Sequence, residues 1–166
     1  IKVAKFGGSS VADGIQLTKT KKIIQQDPDR RYIVVSAPGK RFDGDNKITD
    51  LLYLCKTHIE HNLPYDKIFQ VVADRYMAVE VNLGVEVDLL QYFDEIRENL
   101  KKNPSSDYIA SRGEYLNAIL VAAFLGYDVV DTAQLIKFDA KCKLLMEETD
   151  IAIREELSKH ERAVLP

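Results

Sequence analysis

The segment VAKFGGSS at residues 3–10 decides how this chain folds, because it joins a short apolar run to a glycine pair and two serines. The run Ile1–Phe6 has no helix start signal and is typical of a short buried strand. The pair Gly7-Gly8 breaks this strand, and the pair Ser9-Ser10 can cap the helix that we predict over Val11–Gln26. The N-terminus is therefore predicted to form a strand, a tight glycine turn and a helix.

Predicted strands and helices continue to alternate after this unit, in the order β-α-β-α-α-α-α-β-β-α-β over the whole chain. Helices between strands favour a mainly parallel sheet with helices on both faces. We therefore predict an α/β protein, a three-layer α/β/α sandwich, with an exposed polar loop at Pro38–Asn46 and a helix-ending glycine at Gly126. The other strands are predicted at Arg31–Ala37, Tyr127–Asp131, Leu135–Phe138 and Arg162–Leu165, and the other helices at Lys47–His61, Pro64–Val81, Val87–Lys102, Asp107–Leu125 and Glu147–His160.

Length and composition indicate one soluble cytoplasmic domain. The 166 residues carry a formal net charge of −3, so no general attraction to nucleic acid or to an anionic membrane is expected. The longest apolar window, Ala118–Leu125, falls far short of the roughly 18 residues that a membrane span needs. Cys55 and Cys142 are too few for a disulfide framework, and we predict both to be buried, reduced thiols.

The glycine turn is the strongest candidate site in the sequence. Gly7 and Gly8 allow the backbone to approach an anion closely, and the N-terminus of the following helix adds N–H donors that favour phosphate. Lys5 can place an ammonium group beside a phosphoryl group. Neither the G-x-x-x-x-G-K-[ST] nor the G-x-G-x-x-G pattern is present, so a plain strand-to-helix turn with capping serines stays an alternative.

Three further positions are candidates. Ser36 ends the second predicted strand, and ligands of open α/β sheets gather at such ends, although an ordinary turn explains it equally well. Gly113 is costly inside a helix and suggests close packing or ligand approach beside Glu114, which is either an ammonium-binding carboxylate or a solvated glutamate. Thr49, near a helix start, can donate to a ligand or merely cap. His58 and His61 lack the further ligands that a zinc site needs, so no metal site is predicted.

Four motifs occur in a fixed order: KFGGSSVAD at residues 5–13, VVSA at 34–37, ITDLL at 48–52 and SRGE at 111–114. Together they closely resemble the N-terminal part of aspartate kinases, which belong to the amino-acid kinase superfamily. The resemblance runs over essentially the whole chain, and its K-F-G-G-[ST]-S opening is quite specific.

This resemblance implies an amino-acid kinase fold and transfer of the ATP γ-phosphoryl group to the side-chain carboxylate of L-aspartate. The product would be 4-phospho-L-aspartate, for lysine, threonine and methionine synthesis. The roles that it implies fall on two groups of residues. Lys5, as the catalytic cation, acts with Gly7, Gly8, Ser9, Ser10 and Ser36 on the phosphates, and Thr49, Ser111, Arg112 and Glu114 bind aspartate, with Glu114 pairing the α-ammonium.

The family's later glycine-rich segment, G-R-G-G-S-D, is not found in this sequence. We therefore expect residues 1–166 to be the N-terminal portion of a catalytic domain, without the nucleotide-binding remainder and the regulatory ACT domains. ATP and Mg²⁺ are expected, with most Mg²⁺ ligands outside this chain, and the parent protein is expected to be a homo-oligomer.

Two other functions stay open at this point. The chain by itself can be a non-catalytic substrate-binding or dimerisation module, and little activity is expected from it alone. The other function is that of a kinase of the same superfamily with another acceptor, such as glutamate, N-acetylglutamate or a nucleoside monophosphate. Thr49 and Glu114 argue against it, because a glutamate suits an acceptor with a free α-ammonium group.

Overall fold

The fold is built on four strands and six helices, described by a computed structural model over residues 1–166. Two short 3-10 turns, Gly8–Val11 and Thr132–Gln134, complete the elements. In chain order the elements are β1 (Lys2–Phe6), α1 (Gly14–Gln25), β2 (Arg30–Val35), α2 (Ile48–Glu60), α3 (Asp66–Leu83), α4 (Leu89–Leu100), α5 (Ser106–Leu125), β3 (Asp128–Val129), α6 (Met146–Leu157) and β4 (Ala163–Leu165).

All strand pairs of the sheet are parallel, in the order β1-β2-β4-β3. At the centre of the β1–β2 register, Lys5 pairs with Val34 and Phe6 with Val35. The amide of Ser36 extends this pairing by donating to the Phe6 carbonyl oxygen at 3.1 Å. The segments that follow β1 and β2 therefore leave the sheet side by side, at the edge where parallel sheets bind ligands.

Helices cover both faces of the sheet, which confirms the predicted three-layer α/β sandwich. Side chains of a strand point alternately to its two faces. On β2, Ile33 and Val35 belong to the main core beneath the large helices, whereas Tyr32 and Val34 pack with a smaller cluster against α6.

Helix α5 is the central element of the main core. It is buried on all sides from Leu116 to Ala122, a stretch that includes the first five residues of the predicted apolar window Ala118–Leu125. A helix that is apolar all round is stable only inside a protein. Ser105 caps its start by accepting from the Tyr108 amide at 3.1 Å, and Gly126 ends it at φ +73°, as predicted.

Four local predictions are wrong. Strand β1, predicted to be buried, is largely exposed. The serine pair does not cap α1; a 3-10 turn intervenes, and the Asp13 carboxylate accepts from the Gln16 amide at 2.8 Å. The strand predicted at Leu135–Phe138 is absent apart from a single bridge between Phe138 and Leu144. Cys142 is exposed in a turn at φ +59°, whereas Cys55 is buried and burial raises its thiol pKa to about 12.

None of the helices is both long enough and apolar enough to cross a membrane.

A substitution at Gly113 in α5 tests whether close packing or helix propensity determines the effect of a helical glycine on stability. A Cβ added there would lie 2.8 Å from the Ala37 Cβ and 3.3 Å from the Ile48 Cγ2. The Ala37 Cβ cannot rotate away, so backbone must move, and overpacking of this kind costs about 1–3 kcal/mol. We expect Gly113→Ala to lower the free energy of unfolding in urea, although alanine is the better helix former by about 1 kcal/mol.

Ala123→Gly, on the exposed side of the same helix, is the matched control and measures the propensity difference alone. A Gly113→Ala variant that is as stable as the wild type, or more stable, would show that the contact with Ala37 and Ile48 is not tight.

Candidate active site

A cleft of about 450 Å³ lies where the chain leaves β1 and β2. We call it the glycine cleft. Three segments form it, namely the turn after β1, the loop after β2 and the start of α2. Its lining residues are Gly8, Ser9, Ser36, Ala37, Pro38, Gly39, Lys40, Lys47 and Thr49.

Two glycines hold the first two of these segments together. The amide of Gly39 donates to the carbonyl oxygen of Gly8 at 2.9 Å. A Cβ on Gly39 would lie 2.8 Å from the carbonyl carbon of Gly8, and a Cβ on Gly8 would lie 3.0 Å from the Ala37 carbonyl oxygen. A side chain at Gly39 would therefore push the two backbones apart, and one at Gly8 would require its neighbours to shift slightly. The sequence indicates a candidate loop at Ser36–Gly39, but the contact of Gly39 with Gly8 depends on the fold.

The glycine cleft is positively charged. Lys40 and Lys47 line it, neither forms an ion pair, and no Asp or Glu is among the lining residues. Helix α2 begins at this cleft, with Lys47 and Thr49 on its first turn and no side chain capping its N-terminus. The positive end of α2 therefore adds to the lysine charges, a setting that favours anions such as phosphate.

The helix dipole at the cleft was predicted for α1, and this is wrong. Asp13 caps the N-terminus of α1, which lies beside Asn82 in a separate depression. The donors near Gly7-Gly8 belong instead to the 3-10 turn, whose first hydrogen bond runs from the Ser10 amide to the Gly7 carbonyl oxygen at 2.9 Å.

Of the residues predicted to bind phosphate, the structure brings Gly8, Ser9 and Ser36 together in the glycine cleft. The other three lie nearby and do not line it. Lys5 is an exposed β1 residue without an ion pair, Gly7 is exposed with open space around its Cα, and Ser10 accepts a hydrogen bond from Thr20 at its carbonyl oxygen.

A second cavity, of about 510 Å³, contains three of the predicted aspartate-binding residues, Ser111, Arg112 and Glu114. We call it the Arg112 pocket. It lies between the first half of α5 and the segment that follows β3. Its other lining residues are Asp107, Tyr108, Tyr115, Asp131, Thr132, Ala133, Ile136, Phe138 and Pro166.

Arg112 is a buried cation without a carboxylate partner. Its guanidinium lies 4.6 Å from the ring centres of both Tyr108 and Tyr115 and donates only to the Ser111 hydroxyl, at 3.0 and 3.3 Å. Stacking uses the faces of the guanidinium and leaves N–H groups at its edge, where an arginine binds carboxylates.

Glu114 is half-buried and forms no hydrogen bond or ion pair with another side chain. Its carboxylate lies close enough to Tyr76 to influence that group: burial first, and the Glu114 charge second, raise the Tyr76 pKa well above its ordinary value. The Arg112 pocket therefore holds one cation, Arg112, and three carboxylates, Glu114, Asp107 and Asp131. Because Arg112 and Glu114 have no charged partner, the first can receive a carboxylate and the second an ammonium group.

Helix α5 contacts both cavities. Gly113 packs on Ala37 and Ile48 behind the glycine cleft, and Asn117, one turn later, donates to the Ser36 carbonyl oxygen at 2.7 Å. Thr49 lines the glycine cleft and not the Arg112 pocket, so the structure does not join it with the other predicted aspartate-binding residues in one cavity. Asn117 carries no sequence signal beyond being polar within an apolar run.

The loop at Pro38–Asn46, predicted to be exposed, is partly buried. Pro38 and Gly39 are buried, and Asp45 is ion-paired to both Arg41 (2.8 Å) and Arg75 (3.2 Å). The Arg41 hydrogen bond, foremost, holds the pKa of Asp45 well below its usual value, and the Arg75 charge adds to the effect. Charged residues in a glycine-containing loop suggest exposure. Their partner on α3, Arg75, is distant in sequence, so only the fold shows it.

The structure contains no group of three or more His, Cys, Asp or Glu side chains arranged to hold a metal ion. His58 instead contacts the Pro64 carbonyl oxygen through Nδ1 at 2.8 Å.

Comparison with known proteins gives consistent results. The profile of the amino acid kinase family matches residues 1–161. Aspartokinase 3 of Bacillus subtilis (strain 168) is 37% identical over 151 residues, which covers 84% of this chain and 32% of that protein. The aspartate kinase of Clostridium acetobutylicum is 41% identical and has a TM-score of 0.95, over 99% of this chain and 38% of that one.

A more distant structure shows the same fold. Aspartokinase III of E. coli in complex with aspartate and ADP is 18% identical, with a TM-score of 0.75 over 98% of this chain and 40% of that one. The chain thus spans about a third of the length of the relatives that it matches.

The contact between Gly8 and Gly39 predicts that an alanine destabilises the protein at position 39 and not at position 7. Gly39→Ala places a Cβ against the Gly8 backbone, which cannot move independently, so we expect a loss of about 1–3 kcal/mol in the free energy of unfolding. Gly7→Ala meets nothing within 4 Å and is expected to change that free energy by less than about 0.5 kcal/mol. Urea denaturation measures both, and equal stabilities would contradict the described packing of the two turns.

The ion pairs of Asp45 predict a pH-dependent contribution to stability. Because the pKa of Asp45 is lowered on folding, its contribution is full above the unfolded-state value of about 4 and is lost as the pH falls through the folded-state value. We expect Asp45→Asn to be less stable than the wild type at pH 7, with a gap that narrows below about pH 4.

Asp43→Asn, in the same loop and without an ion pair, is the control and should follow the wild type at every pH. Thermal unfolding between pH 3 and pH 7 gives the comparison. A constant gap for Asp45→Asn would mean that the carboxylate charge is not what stabilises the loop.

Proposed function

The chain belongs to the amino acid kinase family, and from this premise we propose that it takes part in transferring the γ-phosphoryl group of ATP to the side-chain carboxylate of L-aspartate. The observation that carries the proposal is the pair of cavities that α5 contacts. The glycine cleft is lined by two lysines and by no carboxylate, and the Arg112 pocket holds the unpaired Arg112 guanidinium and the unpaired Glu114 carboxylate beside Asp107 and Asp131. A phosphate donor fits the first and an amino-acid acceptor fits the second.

In this proposal the glycine cleft holds the phosphates. Lys40, Lys47 and the N-terminus of α2 attract them, and the turn at Gly7–Ser9 offers backbone donors without side chains in the way. Lys5, exposed at the end of β1, would neutralise charge on the transferred group, and Ser10 and Ser36 would donate further hydrogen bonds. Phosphoryl transfer needs mainly such positioning and charge neutralisation.

The Arg112 pocket holds the acceptor. Glu114 pairs with the α-ammonium of aspartate, and the free edge of the Arg112 guanidinium, supported by Ser111, receives a carboxylate. An oxygen of the aspartate side-chain carboxylate then bonds to the γ-phosphorus while the bond to the β,γ-bridging oxygen breaks. The products are 4-phospho-L-aspartate and ADP. Thr49 would contact the acceptor from the cleft side.

Several features of the proposal belong to a longer protein. The matched relatives are about three times as long as this chain. We propose that residues 1–166 correspond to the N-terminal portion of the catalytic domain, and that further parts complete the adenine site and regulation. Mg²⁺ would enter with the nucleotide and neutralise phosphate charge, with most ligands outside these residues. A homo-oligomer in the cytoplasm is part of the same proposal.

The test is trapping of acyl phosphate with hydroxylamine, using full-length protein, ATP, Mg²⁺ and a panel of acceptors. We expect aspartate-dependent hydroxamate. In the same assay Lys5→Ala should lower kcat by about 100-fold and change the KM for aspartate little, because the ammonium acts mainly in the transition state. Lys19→Ala, an exposed lysine on α1, is the matched control and should behave like the wild type.

In the same assay, Glu114→Gln distinguishes the proposed binding role of the Arg112 pocket from that of the glycine cleft. It should raise the KM for aspartate by about tenfold and leave the KM for ATP unchanged, whereas Glu148→Gln, an exposed residue on α6, should change neither. Hydroxamate formed with another acceptor and not with aspartate would overturn the substrate. Near-normal kcat for Lys5→Ala would remove Lys5 from the proposed role.

A further inference from the structure

Arg75 lies on α3, and its guanidinium enters the space behind the glycine cleft. The residue is 5% exposed, so almost the entire side chain is inside the protein. Its Nη1 donates to the Asn46 carbonyl oxygen at 2.6 Å. Its Nη2 donates to the Gly39 carbonyl oxygen and, at 3.5 Å, to the carbonyl oxygen of Ala12.

These three carbonyl groups belong to the turn after β1 and to the two ends of the loop after β2. Ala12 ends the turn after β1, Gly39 lies near the start of the loop, and Asn46 is its last residue, directly before Lys47 and the start of α2. No other side chain of the chain bonds to all three positions. A guanidinium has five donors in a rigid plane and can reach several acceptors at once, whereas a lysine ammonium is a single point.

The charge of Arg75 is balanced at the same place. Asp45 lies 3.2 Å from its Nη1 and is itself held by Arg41 through two hydrogen bonds, at 2.8 and 3.0 Å. The Nε of Arg75 is buried without a partner. Buried donors are normally paired. The carbonyl groups and Asp45 therefore determine the orientation of the guanidinium, and this orientation leaves Nε without a partner.

We infer that Arg75 is a positioning residue for phosphate binding, which fixes the spacing of the three loop segments that form the glycine cleft. Its place in the reaction rests on the proposed function, but its action on the loops does not. Without it, Gly39 and Lys47 lose the anchor that sets their distance from the turn after β1. The Arg112 pocket is not bonded to Arg75 and keeps its geometry.

The test uses Arg75→Lys in the full-length protein, with Arg97→Lys as the matched control. Arg97 on α4 is partly exposed; its guanidinium donates to Asp94 and Gln70 and lies over the ring of Phe69, and none of these residues lines the glycine cleft. We expect Arg75→Lys to raise the KM for ATP by about 10-fold or more, since small misplacements of binding groups are costly. The KM for aspartate should rise by about threefold at most, because Thr49 is the only one of the proposed aspartate contacts that lies in the cleft. Arg97→Lys should change neither constant.

Hydrogen exchange gives a readout that does not depend on activity. In the wild type the amides of Gly39 and Ile48, which donate to Gly8 and Pro38, should exchange slowly. In Arg75→Lys, peptides covering residues 38–48 should exchange at least about tenfold faster, while peptides from α5 and α6 stay unchanged.

Three outcomes would overturn the role of Arg75. They are equal increases in both KM values, an unchanged KM for ATP, and fast exchange at Gly39 and Ile48 in the wild type. The exchange measurement on the wild type does not require that the variant folds. If the wild type forms no hydroxamate with aspartate, the proposed function fails, and the exchange comparison still decides whether Arg75 positions the loops.

Discussion

The structure depends on the close approach of two loop backbones at the edge of a parallel sheet. Strands β1 and β2 are hydrogen-bonded neighbours, so the segments that follow them leave the sheet side by side. Gly8 and Gly39 bring these segments into backbone contact, at a distance that a Cβ on Gly39 would not allow. The glycine cleft opens beside this contact, and the N-terminus of α2 completes it. A larger residue at either glycine would separate the loops and widen the cleft.

Helix α5 connects this constraint to the second cavity. Its buried side packs directly on the loop after β2 through Gly113 and holds that loop through Asn117. The same turns of the helix carry Ser111, Arg112 and Glu114 into the Arg112 pocket. The glycine cleft and the Arg112 pocket are thus both built on one rigid element, which suits the proposed reaction, whose rate would depend on the alignment of two bound groups.

Charges without partners mark both cavities. A folded protein normally pairs or exposes its charged groups, because burying them unpaired is costly. Here Arg112 is buried between two tyrosine rings without a carboxylate, and Glu114 is half-buried without a cation. Elsewhere in the chain buried charge is compensated, as Arg75 and Asp45 show. The contrast between paired charge behind the cleft and unpaired charge inside the cavities supports a ligand as the missing partner.

The sequence by itself determined the α/β class, the position of most elements and the main candidate residues. Local signals sufficed there: β-branched runs for β2, the apolar segment of α5, Ser105 and Gly126 at its ends, and the glycine pair after β1. Tertiary structure decided what depends on neighbours distant in sequence. It placed Gly39 against Gly8, gave the cleft the N-terminus of α2 where α1 was expected, and buried Arg75 beneath a loop that its composition marked as exposed. It also left Leu135–Phe138 without a strand partner. The physical reason is the same in each case: hydrogen bonds, ion pairs and close contacts between segments depend on which surfaces the fold brings together, and no local pattern of residues encodes that.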